Sequence, residues 1–244
     1  MIMVDKKESI AGENEMAEDF FTDIAVAFDD RYENKPDFKN RFAIWTKLID
    51  QFSSGKKSAY DLGCGSGRYS FYIAQKGLKV TGVDASEGML ELCEKRKAAS
   101  NIQHIQFLKD KLPLSSLEAY ESVDLIISSS VIEYVEGFDK IMSDTHGLLN
   151  EGGVFIFSIP NKDSIHRKIE KFLYKLIGKP SYVRYLHNYK TLNDFKKFEK
   201  QYGFQLLEHA YYGEVSFVFR LLSKILPKRF CNTLLVGAFK KVER

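Results

Sequence analysis

A run of glycines and the acids around it are the residues of this sequence best suited to chemistry. The stretch 60–70 reads YDLGCGSGRYS, with glycines at positions 63, 65 and 67 and Asp61 two places ahead of the first. Glycine at every second position lets the chain turn sharply and lets a ligand lie against the main chain. The helix expected from Arg68 opens with N–H groups that have no partner inside the helix, which suits an anionic or carboxylate-bearing ligand. Asp61 can attract an ammonium group or fix the loop by hydrogen bonds. About 20 residues on, Asp84 ends the apolar run KVTGVD. A carboxylate at that place, at a strand end, can accept hydrogen bonds from ribose hydroxyls.

These residues need a frame, and the pattern supplies one. From Ser58 short apolar runs alternate with helical spacing: strands at SAYDL, LKVTGVD, IQHIQFLKD, SVDLIISSSV and GGVFIFSIP, with helices over 68–76, 87–100 and up to Leu149 between them. Such alternation specifies an α/β fold with a parallel sheet covered by helices on both faces, and ligands bind at the carboxyl ends of its strands. Ahead of it, 16–51 has helical spacing rich in aromatics. Beyond it come a helix at SIHRKIEKFLYKLIG, the basic and tyrosine-rich KPSYVRYLHNYK, a helix at LNDFKKFEKQYG, and strands at FQLLEHAYY and NTLLVGAFKK. The expected organisation is one domain: an N-terminal helical lid or arm (1–51), a binding core (52–160), a cap insertion (161–203), and the end of the sheet with a helical insertion (204–244).

The spacing G-x-G-x-G, with an acid two places ahead, differs from the G-x-G-x-x-G of dinucleotide folds. DLGCGSG with the later Asp84 resembles motif I of the class I S-adenosylmethionine-dependent methyltransferases, firmly over about 58–160 and more loosely beyond. The resemblance implies a seven-stranded, mostly parallel Rossmann-like sheet that ends in an antiparallel hairpin, with an N-terminal helical lid and C-terminal cap insertions. It implies S-adenosylmethionine as cofactor and S-adenosylhomocysteine as product. Carried over by position, Asp61, Gly63, Cys64, Gly65 and Gly67 would border the cofactor, with Cys64 read as packing and not as a nucleophile. Asp84, followed by Ala85, would hold the ribose. Met89 would face adenine or fill the core, and Asp110, with Lys111 beside it, would accept the adenine amine or cap a helix. Ser128 and Val131 would bring backbone close to the cofactor, and Arg31, Tyr32 or Arg41 of the lid would close over it.

Methyl transfer is an in-line displacement, so the protein must align the two partners and accept a proton if the nucleophile is a hydroxyl. By the resemblance His187 is the first base candidate, because relatives acting on small molecules place a histidine before the helix that ends in a Gly-Phe pair, here Gly203 and Phe204. His166 comes second. Glu133, which matches a glutamate common in relatives, is a third candidate or fixes a helix start. Tyr134, Tyr185 and Tyr189 could line the acceptor pocket. The Asn- or Asp-Pro-Pro-aromatic motif of base-amine methyltransferases is missing after the fourth strand. The expected acceptor is a small or lipid-linked molecule methylated at oxygen, in the methyltransferase 11/12-like branch that includes quinone-biosynthesis enzymes, although the histidine typical of that group after the fourth strand is Tyr134 here. An RNA methyltransferase and a non-catalytic cofactor-binding scaffold remain alternatives.

Composition narrows the setting. The three cysteines are too scattered for a disulfide framework or zinc site, and no metal is expected. The opening residues lack the apolar centre of a secretory signal, and no apolar run reaches membrane-spanning length. A cytoplasmic protein is expected. The net charge of +3 does not by itself imply nucleic acid. It is unevenly spread: 161–232 holds 15 Lys and Arg against 6 acids. SFVFRLLSKILPKRF is apolar with basic residues at helical spacing, so it either lies on a membrane surface or caps the core with its lysines in water.

Overall fold

The computed structural model describes residues 34–213 and 223–243, together with Asp29 and Leu221. Arg31 and Tyr32, expected in the lid, and most of the apolar, basic segment from 214 to 222 lie outside the described residues.

The described chain opens with α1 (Pro36–Ser53), which has proline in its first turn and buries Trp45, Leu48 and Ile49. Then follow β1 (Ser58–Leu62), α2 (Arg68–Ala74), β2 (Lys79–Asp84), α3 (Glu87–Ala98), β3 (Ile105–Lys109) and β4 (Val123–Ser128). The second half holds α4 (Phe138–Leu148), β5 (Leu149–Pro160), α5 (Ile165–Ile177), α6 (Leu192–Lys196), α7 (Phe198–Tyr202), β6 (Phe204–Tyr212), α8 (Lys228–Cys231) and β7 (Leu234–Lys241). The strands form one seven-stranded sheet in the order β3-β2-β1-β4-β5-β7-β6. Five strands run parallel, and β7 lies antiparallel to both β5 and β6. This is the Rossmann-like α/β sheet with the closing hairpin.

Both faces of the sheet are covered, so its central strands are apolar almost throughout. Leu125 and Ile127 of β4 point into a core with Trp45, Ile73 and Val236. Ile126 points the other way, into a core with Phe155, Phe157, Phe195, Phe198, Phe204 and Phe239. The helix expected over 192–203 is two short ones. Thr191 and Asp194 form a reciprocal capping box that starts α6, and a break at Lys197 lets Phe195 and Phe198 both enter the aromatic core. The strand order reverses between β1 and β4. The carboxyl ends of those two strands therefore form a crevice.

Candidate functional site

Strand β1 delivers the glycine loop to that crevice. Gly63 has φ of 72°, and a Cβ on it would sit 2.2 Å from Val131 Cγ2, so glycine is required on both counts. Its N–H and that of Cys64 donate to the Val83 carbonyl at 2.7 and 3.0 Å, which ties the loop to β2. Gly65 differs. A Cβ there would meet only the Met89 sulfur, at 4.0 Å, so the loop keeps an open face beside Met89. Asp84 closes the other side: its Oδ2 accepts from Gly65 N at 2.7 Å and its Oδ1 from Ser86 N, just past Ala85, at 2.9 Å. A carboxylate oxygen can accept more than one hydrogen bond, so a carboxylate fixed in this way still suits a pair of ligand hydroxyls.

Of the two roles open to Asp61, its contacts carry fixing the loop. The side chain is buried and accepts from Ser70 Oγ at 2.6 Å, knitting β1 to α2. Burial pushes its carboxyl up to about 7, and the charge of Asp84 adds to the shift. Cys64 is a packed thiol. The Cys93 thiol beside it and its burial raise its pKa well above the ordinary value. Asp110 is engaged by its own turn, accepting from Lys111 N at 2.8 Å, Ser115 Oγ at 2.5 Å and Tyr120 O–H at 2.7 Å. These contacts hold the turn after β3 and are not those of a helix cap.

Sequence reasoning missed Asp29. Its carboxylate accepts from Ser66 Oγ (2.5 Å), Arg68 Nε (2.7 Å) and Arg96 Nη2 (2.8 Å), so Asp29 is pinned to the glycine loop. Burial opposes the charge, but the bonds from Arg68 and Ser66 and the neighbouring Arg96 outweigh it and hold the carboxyl below its usual range. Nothing in the sequence marks Asp29 above Asp30, because the contact is made across the fold.

The carboxyl end of β4 builds the other wall. Ser128 is fully buried, and Val131 fills the space over Gly63. Ser130 holds φ of 57°, a left-handed conformation rare outside glycine, with its N–H bonded to Ser158 Oγ at 3.0 Å. Arg41 reaches in from α1, its Nη2 donating to the Ser129 carbonyl at 3.1 Å and to Ser129 Oγ at 2.8 Å. Two residues past Val131, Glu133 is buried, and among the described residues its Oε2 has no hydrogen-bond partner. Burial pushes its carboxyl up to about 7, against the opposing charges of Arg41 and Arg167. Tyr134 is half-buried next to it, and desolvation followed by the charge of Glu133 pushes its phenol far up.

The cap leans on this wall from α5. Arg167 Nη1 donates to Glu170 Oε2 and to the Tyr182 hydroxyl, both at 3.0 Å, and Tyr182 in turn donates to Glu170 Oε1. His166 belongs to the same cluster, its Nδ1 3.4 Å from Glu170 Oε2. Tyr189 feels Arg167, Glu170 and Glu133 and carries Lys171 Nζ 3.4 Å over its ring. Tyr185 stacks under Arg184. His187 touches this wall through its backbone: its N–H donates to the Glu133 carbonyl at 2.8 Å, while its imidazole points to Glu136, 3.6 Å away. Asn188, next in the chain, donates to the carbonyls of Ile132 and Val135.

Residues 60–155, from within β1 to within β5, match the family model for a methyltransferase domain. The open face at Gly65 between Asp84 and Met89 suits S-adenosylmethionine, the cofactor that the resemblance implies. Over 118 residues the chain is 30% identical to the malonyl-[acyl-carrier protein] O-methyltransferase of Hamiltonella defensa, covering 46% of this chain and 42% of that protein. Over 151 residues it is 27% identical to the ubiquinone biosynthesis O-methyltransferase of Stutzerimonas stutzeri, covering 62% of each. The chain thus spans less than two thirds of the length of these relatives. Its fold is similar to that of magnesium protoporphyrin IX methyltransferase from Synechocystis PCC 6803, solved with bound S-adenosylhomocysteine. That likeness has a TM-score of 0.69 at 15% identity, covering 93% of this chain and 99% of the other.

Proposed function

We propose that the protein is an S-adenosylmethionine-dependent methyltransferase that methylates a hydroxyl of a small or lipid-linked acceptor, with Glu133 as the proton acceptor. The observation that carries this reading is the buried Glu133 Oε2, without a hydrogen-bond partner among the described residues, in the wall that packs on the glycine loop. When bound, the cofactor supplies a methyl group activated by a positively charged sulfur. The rest is done by the chain. Asp84, oriented by the Gly65 N–H, holds the ribose side, Met89 borders the adenine, and Ser128 and Val131 shape the wall facing the acceptor.

An acceptor hydroxyl beside Glu133 Oε2 would pass its proton to that carboxylate. A base whose pKa lies near the working pH is well matched to that task. Arg41 and Arg167 favour the ionised form, and Tyr134 and Tyr189 offer ring surface for the acceptor. His187 acts through its main chain by fixing the Glu133 carbonyl, and His166 is paired with Glu170, so neither histidine is assigned as the base. O-methylation by the two curated relatives agrees with this reading.

The test uses methyl-labelled S-adenosylmethionine, the purified chain and an extract of its source cells separated into lipid, small-molecule, RNA and protein fractions. Label in the lipid or small-molecule fraction, lost with Glu133→Gln, supports the proposal. Label in RNA would overturn it and turn the basic cap into a phosphate-binding face.

A further inference from the structure

Helix α5 is built inside out for a helix on a protein surface. Ile169, Phe172, Leu173, Leu176 and Ile177 recur at the three- and four-residue spacing of one helical stripe, yet that stripe faces solvent. Phe172, Leu176 and Ile177 are 62, 64 and 65% exposed, while the charged Glu170, at the edge of the stripe, is buried. The cause lies beneath the helix. Its inward side is taken by the Arg167–Glu170–Tyr182 cluster, so the apolar side can only point outward.

The patch continues beyond the helix. Helix α8 packs on α5. Just ahead of α8, Ile225 is 84% exposed, and Leu226 and Leu221 are exposed as well. Charge runs along one edge: Lys168, Lys171 and Lys175 line a single side of the apolar stripe, and Lys179 follows the helix end, all exposed. The one acid of α5, Glu170, points inward, so the exposed face presents no carboxylate to a second copy of itself.

An exposed apolar stripe flanked by lysines is the pattern of a helix lying in the headgroup layer of a membrane. We propose that α5, with the apolar residues ahead of α8, docks the protein on the surface of an anionic lipid bilayer. The docking face is the back of the helix whose inner side borders Glu133 and Tyr189, so a lipid-linked acceptor would reach the site from the bilayer. The docking proposal itself does not depend on which acceptor is methylated. It extends the membrane contact read from the sequence in SFVFRLLSKILPKRF, which holds Leu221, Ile225 and Leu226, onto the preceding helix.

Co-sedimentation of the full chain with vesicles tests it, using phosphatidylcholine alone and phosphatidylcholine mixed with phosphatidylglycerol. Binding is expected to the anionic vesicles and to be at least about tenfold weaker on neutral ones, since each lysine near an anionic surface contributes about a fivefold factor. Phe172→Glu with Leu176→Glu should abolish binding while cofactor affinity stays unchanged, which separates this proposal from the site reading. Lys168→Glu with Lys175→Glu should weaken binding at least about tenfold and remove most of its salt dependence. No binding to anionic vesicles, or equal binding by the parent chain and the Phe172/Leu176 variant, would overturn the proposal. So would concentration-dependent dimerisation that the same variant abolishes in the absence of vesicle binding.

Discussion

Two buried carboxyls make the strongest predictions at the scale of single residues. Asp61 and Glu133 are both held at about 7, above their ordinary 3.8 and 4.5. A raised pKa in the fold favours folding fully below the unfolded value and loses that contribution as pH rises through the folded one. Stability should therefore fall between about pH 4 and 7, as measured by denaturant unfolding across that range. For Glu133 the difference between 4.5 and about 7 corresponds to roughly 3 kcal/mol at most. Glu133→Gln should recover part of it above pH 7, and a variant no more stable than the parent at pH 8 would contradict the buried-acid account. The same substitution should lower turnover by about a hundredfold or more, the range for a general base, with cofactor affinity unchanged. Parent turnover should rise with pH through about 7 and the variant should lose that limb. The sequence pointed to Glu133 as one of three candidates and placed His187 ahead of it. What it could not show is that the His187 imidazole turns to Glu136, since a loop residue's direction depends on contacts from distant strands.

Elements were read from periodicity, and periodicity held where it expressed burial. The alternating runs of β1 to β5 were legible because a parallel sheet covered on both faces leaves few other patterns. Helix α5 was equally legible as amphipathic, but its pattern is the same whether the apolar side faces in or out. Only the cluster beneath it decides the direction. The glycine loop makes a sharper prediction at this scale. Gly63→Ala places a Cβ into Val131 and strains a φ of 72°, which should cost about 1–3 kcal/mol of stability, the range for overpacking. Val131→Ala in the same chain should restore part of it, and thermal melts of the three variants would show whether the loss is steric. Asp29→Ala should unpin the loop from the other side. Four hydrogen bonds to a carboxylate, from three side chains, are lost, so amide exchange at Ser66 and Gly67 should quicken, with a destabilisation of about 1–3 kcal/mol. Unchanged exchange at those amides would mean that Asp29 does not hold the loop.

At the scale of the molecule, one crevice between β1 and β4 gathers a loop from one strand, an acid from the next and a wall from the fourth. Helix α1, through Arg41, and the basic cap, through the His187 N–H, both meet the wall that follows β4. Among the described residues no helix is long and apolar enough to cross a membrane. The unit everything else depends on is the proposed cofactor crevice, and Asp84 is its hinge, since it orders the loop and is the residue proposed to hold the ligand's hydroxyls. Calorimetric titration of S-adenosylmethionine into the purified chain and into Asp84→Ala tests this most directly. The account predicts one site on the parent chain and an affinity at least about a hundredfold weaker for the variant, the loss expected for two hydrogen bonds to a charged acceptor. The variant's circular dichroism should stay that of the folded protein. No binding by the parent, or undiminished binding by the folded variant, would contradict the account.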